Sequence, residues 1–169
     1  MSRRLFLIAA ATCLLCALAT PAFADLTGFI GVNATPDRRT VKGLAIGTGL
    51  LVVGFEFEYS STNEDTSTGS PSLKTGMANI LLQTPVPVAR MQFYGTVGGG
   101  LYHEVLHANA TYHTLDHRET SFGSNIGGGT KITLTGPLRV RLDYRLFKLS
   151  GDALYGHAHR FYAGLNLAF

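Results

Sequence analysis

The last ten residues of the chain, Arg160-Phe161-Tyr162-Ala163-Gly164-Leu165-Asn166-Leu167-Ala168-Phe169, decide how the rest is read. Extended backbone points successive side chains to opposite faces. One face here carries Phe161, Ala163, Leu165, Leu167 and Phe169, and the other Arg160, Tyr162, Gly164, Asn166 and Ala168. A strand of about ten residues with one apolar and one polar face has the length and pattern of a tilted membrane-crossing strand.

The same period runs upstream. Leu138, Val140, Leu142, Tyr144 and Leu146 alternate with Arg139, Arg141, Asp143, Arg145 and Phe147. Val53, Phe55, Phe57 and Tyr59 alternate with Gly54, Glu56, Glu58 and Ser60, and Met91, Phe93, Val97 and Leu101 with Gln92, Tyr94, Thr96 and Tyr102. Weaker alternation covers 26–34, 41–50, 74–84 and 120–134, and no helix-period stripe of useful length follows Asp25. Eight strands are therefore predicted, and their connections alternate in length. Those at 35–39, 61–73, 103–119 and 150–158 are longer and polar; those near 49–51, 84–87 and 135–137 are tight, with Gly and Pro suited to turns. Short turns at one end and longer loops at the other predict an all-β, eight-stranded antiparallel up-and-down transmembrane barrel with both termini on the short-turn side.

A soluble sandwich or barrel also alternates, but 46% apolar against 15% charged residues leaves little to solvate an exterior. The triplets Gly98-Gly99-Gly100 and Gly127-Gly128-Gly129 precede no helix, which argues against phosphate loops. In a tightly curved wall such glycines relieve strain and let a neighbouring aromatic cover the backbone. Tyr59, Phe93, Phe122, Tyr144, Phe161 and Phe169 are expected outside, as an interfacial girdle without Trp.

At the other end, Arg3 and Arg4 precede an apolar run from Leu5 to Ala19, followed by Pro21 and Ala22-Phe23-Ala24. This is the layout of a cleavable signal peptide over 1–24, leaving the barrel domain at 25–169 and implying export through the Sec translocon. Cys13 and Cys16 both lie in the apolar run, so the mature chain has no thiol for a disulfide, a metal or catalysis. Loss of Arg3 and Arg4 from 14 basic against 11 acidic residues brings the mature net charge to about +1, and no nucleic-acid partner is indicated.

The C-terminal alternation ending on Phe resembles the terminal strand signal of Gram-negative outer-membrane proteins. With the leader, eight strands and four longer loops, the chain is similar to the small outer-membrane β-barrel family that includes the OmpA transmembrane domain, OmpX and opacity-type surface proteins. The resemblance implies an outer-membrane location, recognition of Phe161, Leu165, Leu167 and Phe169 by the barrel-assembly machinery, a surround of outer-membrane lipid and lipopolysaccharide, and a monomer without cofactor. It also implies a non-enzymatic role in envelope structure or contact through the loops. A narrow pore for ions or small solutes is one alternative and a lipid A-modifying enzyme another, although Gly156-His157-Ala158-His159 lacks the His-x-Ser arrangement of the lipid A deacylases. Ser121 and Ser150 remain as loop-end serines, with no evident base and acid beside them.

Two constellations follow from the barrel. An eight-stranded lumen is just wide enough for side chains to fill, and strands three and seven face each other across it. Glu56 and Glu58 should approach Arg139, Arg141 and Arg145, with Asp143, Lys131 and Arg160 nearby, because enclosed charges must compensate one another. Six histidines lie in or beside two longer loops. His103, His107, His113 and His117 around the third are metal-ligand candidates without signature spacing, and solvated loop histidines are the plainer reading.

Overall fold

The computed structural model describes residues 23–50, 52–111, 113 and 115–169; all but the last two residues of the predicted leader lie outside them. Eight strands follow in order: β1 (Phe23–Asn33), β2 (Arg39–Leu50), β3 (Val53–Thr62), β4 (Ser72–Gln83), β5 (Met91–Leu106), β6 (His117–Thr135), β7 (Leu138–Leu149) and β8 (His157–Ala168). Each pairs antiparallel with the next, and β8 returns to β1, from Asp25↔Ala168 to Asn33↔Arg160, to close a barrel. In the unprocessed chain the seam runs on into the last residue of the predicted leader, where the Phe169 N–H donates to the Ala24 carbonyl at 2.8 Å and the Ala24 N–H donates to that of Phe169 at 2.9 Å.

The period-two pattern sorts residues inside out. Ile30, Leu44, Phe57, Leu82, Leu101 and Leu165 stand outward with more than half their surface bare, whereas Arg141, Arg145 and Arg160 are 0% exposed. That distribution is backwards for a barrel in water and fits a wall in hydrocarbon around a filled lumen. All six aromatics expected outside are exposed there. Phe122 lies over Gly99, where a Cβ would come within 2.7 Å of its ring, so an aromatic does cover the first glycine triplet. Inside, Phe29 is flanked by its register partners Gly43 and Gly164 and stacks on Tyr162 with ring centroids 4.1 Å apart.

Two connections differ from expectation. The loop predicted over 103–119 is shorter, because β5 and β6 stay paired out to Leu106↔His117 and only 107–116 leaves the ladder. His, Glu, Arg and Thr there have loop-like polarity, yet they alternate, and the ladder satisfies their backbone. The turn expected at 84–87 instead reverses at Ala89 and Arg90, between Val88 and Met91, which exchange hydrogen bonds of 2.9 Å in both directions. Both central residues have positive φ, 51° and 67°, the mirror-turn geometry that normally selects Asn and Gly. Anchoring compensates: the Arg90 guanidinium donates to the Leu134 carbonyl, and its own carbonyl accepts from the Thr133 N–H at 2.9 Å.

Ala89 holds a left-handed conformation without the local hydrogen bonding that makes it cheap for Asn. Ala89→Asn should therefore raise unfolding free energy by roughly 1 kcal/mol, read as a higher urea midpoint in phosphatidylcholine vesicles. A lower midpoint would show that the turn is not under this strain.

Candidate functional site

The inward faces of β3, β7 and β8 meet in the lumen and build the site from the expected charges. The Arg141 guanidinium donates to Glu56, and through Nη2 to Asp143 Oδ2 at 3.0 Å. Arg145 reaches Glu56 Oε1 at 2.7 Å, Asp143 Oδ1 at 3.0 Å and Glu58 Oε2 at 3.2 Å. Arg160 donates to Glu58 Oε1 at 2.8 Å and to Asn33 Oδ1 at 3.2 Å. Three guanidinium groups thus meet three carboxylates, and the cluster is neutral. Tyr94 donates to Asp143 and accepts from Arg141 Nε at 2.6 Å; Tyr162 lies against Arg145 and Glu58, with hydroxyl distances of 3.4 Å to each. Without this mutual satisfaction each buried ion would cost several kcal/mol.

Two of the expected members sit elsewhere. Arg139 lies one inward position nearer the short-turn end than Arg141 and, among the described residues, forms no ion pair, because Glu56 is already held by Arg141 and Arg145. It lines a cavity of about 230 Å³ with Asp25, Gly47, Glu56, Gln83 and Gln92. Lys131 lines the same cavity and pairs with Asp25, an inward residue of β1 that sequence reasoning did not assign to the lumen. Continuing the alternation back from Phe29 through Thr27 would have found it.

An apolar layer was also missed. Leu73, Met77, Tyr102, Phe147, Leu149 and Ala158 are buried together in the lumen on the long-loop side of the ions. Arg160 stacks on the Phe147 ring, its guanidinium carbon 4.2 Å from the centroid. From the short turns outward the lumen therefore holds a polar cavity, a neutral ion cluster and a hydrophobic lid.

The histidines do not form one site. His103 and His117 belong to strands and face opposite sides of the wall, His103 outward with Nδ1 2.6 Å from Thr120 Oγ1 and His117 inward. His107 Nδ1 is 2.8 Å from Glu64, and His113 has positive φ in the loop tip. Among the described residues no three His, Cys, Asp or Glu side chains gather as a metal would require. Among the described residues neither Ser121 nor Ser150 is hydrogen-bonded to a histidine; the Ser150 carbonyl accepts from Tyr102 at 2.5 Å. Phe161, Leu165, Leu167 and Phe169 all lie on the outer face, along or beside the seam.

Above the lid three longer loops brace one another. Glu64 in 63–71 accepts from the backbone N–H of His107 at 3.3 Å, Asn109 donates to Thr66 at 3.3 Å, and Ser70 donates to Asp37 in 34–38 at 2.9 Å. The Ser67 hydroxyl and backbone N–H hold the Asp65 carboxyl below the usual carboxylate range. The exposed surface is therefore a cross-linked array.

Residues 10–169 match the family described as outer membrane protein beta-barrel domain. The fold is similar to the N-terminal barrel domain of Pseudomonas aeruginosa OprF, with TM-score 0.67 and 14% identity over 87% of this chain and 97% of that one. It is similar to Neisserial surface protein A, with TM-score 0.65 and 14% identity over 88% and 96%. It is also similar to the outer membrane enzyme PagL, with TM-score 0.51 and 9% identity over 85% and 98%. No curated protein matches the sequence.

Removing one partner from a buried cluster leaves the other charge uncompensated. Glu58→Ala, which leaves Arg160 without a carboxylate and removes one of the three that hold Arg145, should lower unfolding free energy by about 3–5 kcal/mol in vesicle-based urea titrations. Arg139→Ala, at the cavity, should cost less than about 1 kcal/mol. Equal losses from the two would contradict the assignment of partners.

Proposed function

The chain belongs to the outer membrane protein β-barrel domain family, and from that premise we propose that its role is structural and interactive: a spanning barrel that presents a braced loop surface outside the cell. The observation that carries this reading is the filled lumen. A neutral three-by-three ion cluster lies under an apolar lid, so solute meets two successive seals and the outward surface is left as the place of activity. The proposal includes export by the leader over 1–24 through the Sec translocon, recognition of the terminal strand by the barrel-assembly machinery, and a monomer surrounded by outer-membrane lipid and lipopolysaccharide. No cofactor enters it.

The second reading is a narrow conduit, favoured by the cavity of about 230 Å³ lined by Arg139, Lys131 and Gln92 on the short-turn side. For solute to pass, the lid and the ion pairs would both have to rearrange. The enzyme reading rests on likeness to the fold of PagL, and needs a nucleophile, base and acid in contact.

In planar bilayers the unmodified barrel should give no steady stepwise conductance, and lipid A profiles of cells with and without it should coincide. Stable conductance steps would replace this reading with the conduit, and an altered lipid A pattern would replace it with the enzyme. A fractionated, unboiled sample should migrate differently from a boiled one; identical migration would remove the barrel premise itself.

A further inference from the structure

The outer wall carries charge of only one sign. Among the described residues every acidic side chain on a strand, namely Asp25, Glu56, Glu58, Glu104, Glu119 and Asp143, points into the lumen. The outward Lys and Arg residues of the strands, Lys42, Lys74, Arg118 and Lys148, all lie toward the long-loop end. A wall facing only water would ordinarily mix both signs.

Register makes two of these cations into a site. Lys42 is directly opposite Ser61, Ser61 is opposite Lys74, and Lys74 is opposite His103, so four outward residues form one continuous row across β2, β3, β4 and β5. Opposed residues on neighbouring strands stand about 5 Å apart, which puts the lysines roughly 10 Å apart on either side of a serine hydroxyl. Their flexible stems can converge over Ser61. The His103 Nδ1 is engaged by Thr120, which leaves the other ring nitrogen for a ligand.

The next outward row toward the short turns is Leu44, Tyr59, Gly76 and Leu101, and beyond it Ile46, Phe57, Ala78 and Gly99. The cationic row therefore borders the apolar band. An anion that reaches both must be the head of an amphiphile, which excludes an acidic soluble protein as the better fit. We infer that Lys42, Ser61, Lys74 and His103 bind a phosphate of an outer-leaflet lipid headgroup. The two ammonium groups and the Ser61 hydroxyl donate to its oxygens while the acyl chains lie along the apolar rows. The anion relieves the repulsion between the two lysines, for which the outer wall offers no acidic partner among the described strand residues.

This inference rests on the membrane reading and can fail separately from it. The full mature chain, folded in neutral detergent micelles and checked by heat-dependent gel migration, is titrated with bisphosphorylated lipid A, dephosphorylated lipid A and inorganic phosphate, with retained ligand counted by native mass spectrometry. Bisphosphorylated lipid A should be retained in preference to both others. Lys42→Ala and Lys74→Ala should each weaken retention roughly fivefold, and the pair about 25-fold, from the usual contribution of a basic residue at an anionic lipid surface. Raising salt from about 0.05 to 0.5 M should weaken retention by the unsubstituted barrel, an arm that depends on no variant folding. Equal retention of dephosphorylated lipid, indifference to salt, an unaffected double variant, or competition by inorganic phosphate at lipid concentrations would overturn it. A chain that stays folded and monomeric without detergent would instead sink the membrane reading.

Discussion

Closure of the β1–β8 seam is the constraint on which the other features depend. In hydrocarbon an unpaired backbone N–H or C=O costs several kcal/mol, and a sheet avoids that cost only by having no edge. The register from Asp25↔Ala168 to Asn33↔Arg160 achieves this within the residues that follow the leader. Once the ring is shut, alternation leaves each side chain two environments, lipid or lumen, and the segregation of charge follows. A single-residue slip at any strand would exchange the two faces, driving Arg141, Arg145 or Glu58 into lipid.

The narrow lumen then determines its own contents. Ions on opposed strands are forced together, and balance in number as well as geometry is required because they are buried. Glu56, Glu58 and Asp143 against Arg141, Arg145 and Arg160 meet that condition, with tyrosine hydroxyls taking up remaining hydrogen-bonding capacity. Farther toward the short turns the inward residues shrink to Gly47, Gly49 and Gly54, and there the cavity opens. The lumen is graded from a polar cavity through ions to an apolar layer along one axis, the apolar layer lying beneath the loops that the outside encounters.

Much of this was legible because the side-chain period of a strand is two and a barrel wall has two faces. Phase alone placed Glu56, Glu58, Arg141, Asp143, Arg145 and Arg160 inside, and the opposition of strands three and seven brought most of them together. Partner choice was less accessible. Whether Glu56 meets Arg139 or Arg141 depends on strand tilt, and the Lys131–Asp25 pair joins strands far apart in sequence. Phe147 was already in phase with the arginines, but a lid needs Met77 and Leu73 from β4, where alternation is weak. The β4–β5 turn was hidden because Ala89 and Arg90 carry no Gly or Asn signal, while Pro85 and Pro87 carry a misleading one. The upper halves of β5 and β6 read as loop because polarity there reflects water on the outside rather than loss of pairing.

That extension of β6 gives an otherwise seamless cylinder a rim with a gap. Pairing between β6 and β7 stops at Gly123↔Leu149, and beyond it the Ser150 N–H reaches only the Phe122 carbonyl at 3.0 Å. From 117 to 121, β6 keeps β5 on one side and, among the described residues, no strand on the other. The main-chain groups on that flank are hydrated at little expense above the lipid, and Arg118 and Glu119 place charge where bare strand edges otherwise invite adventitious pairing. The cylinder thus ends in a half-finished course of sheet, flanked at Glu119 and Ser121 by the turn at Gly151 rather than by a paired strand.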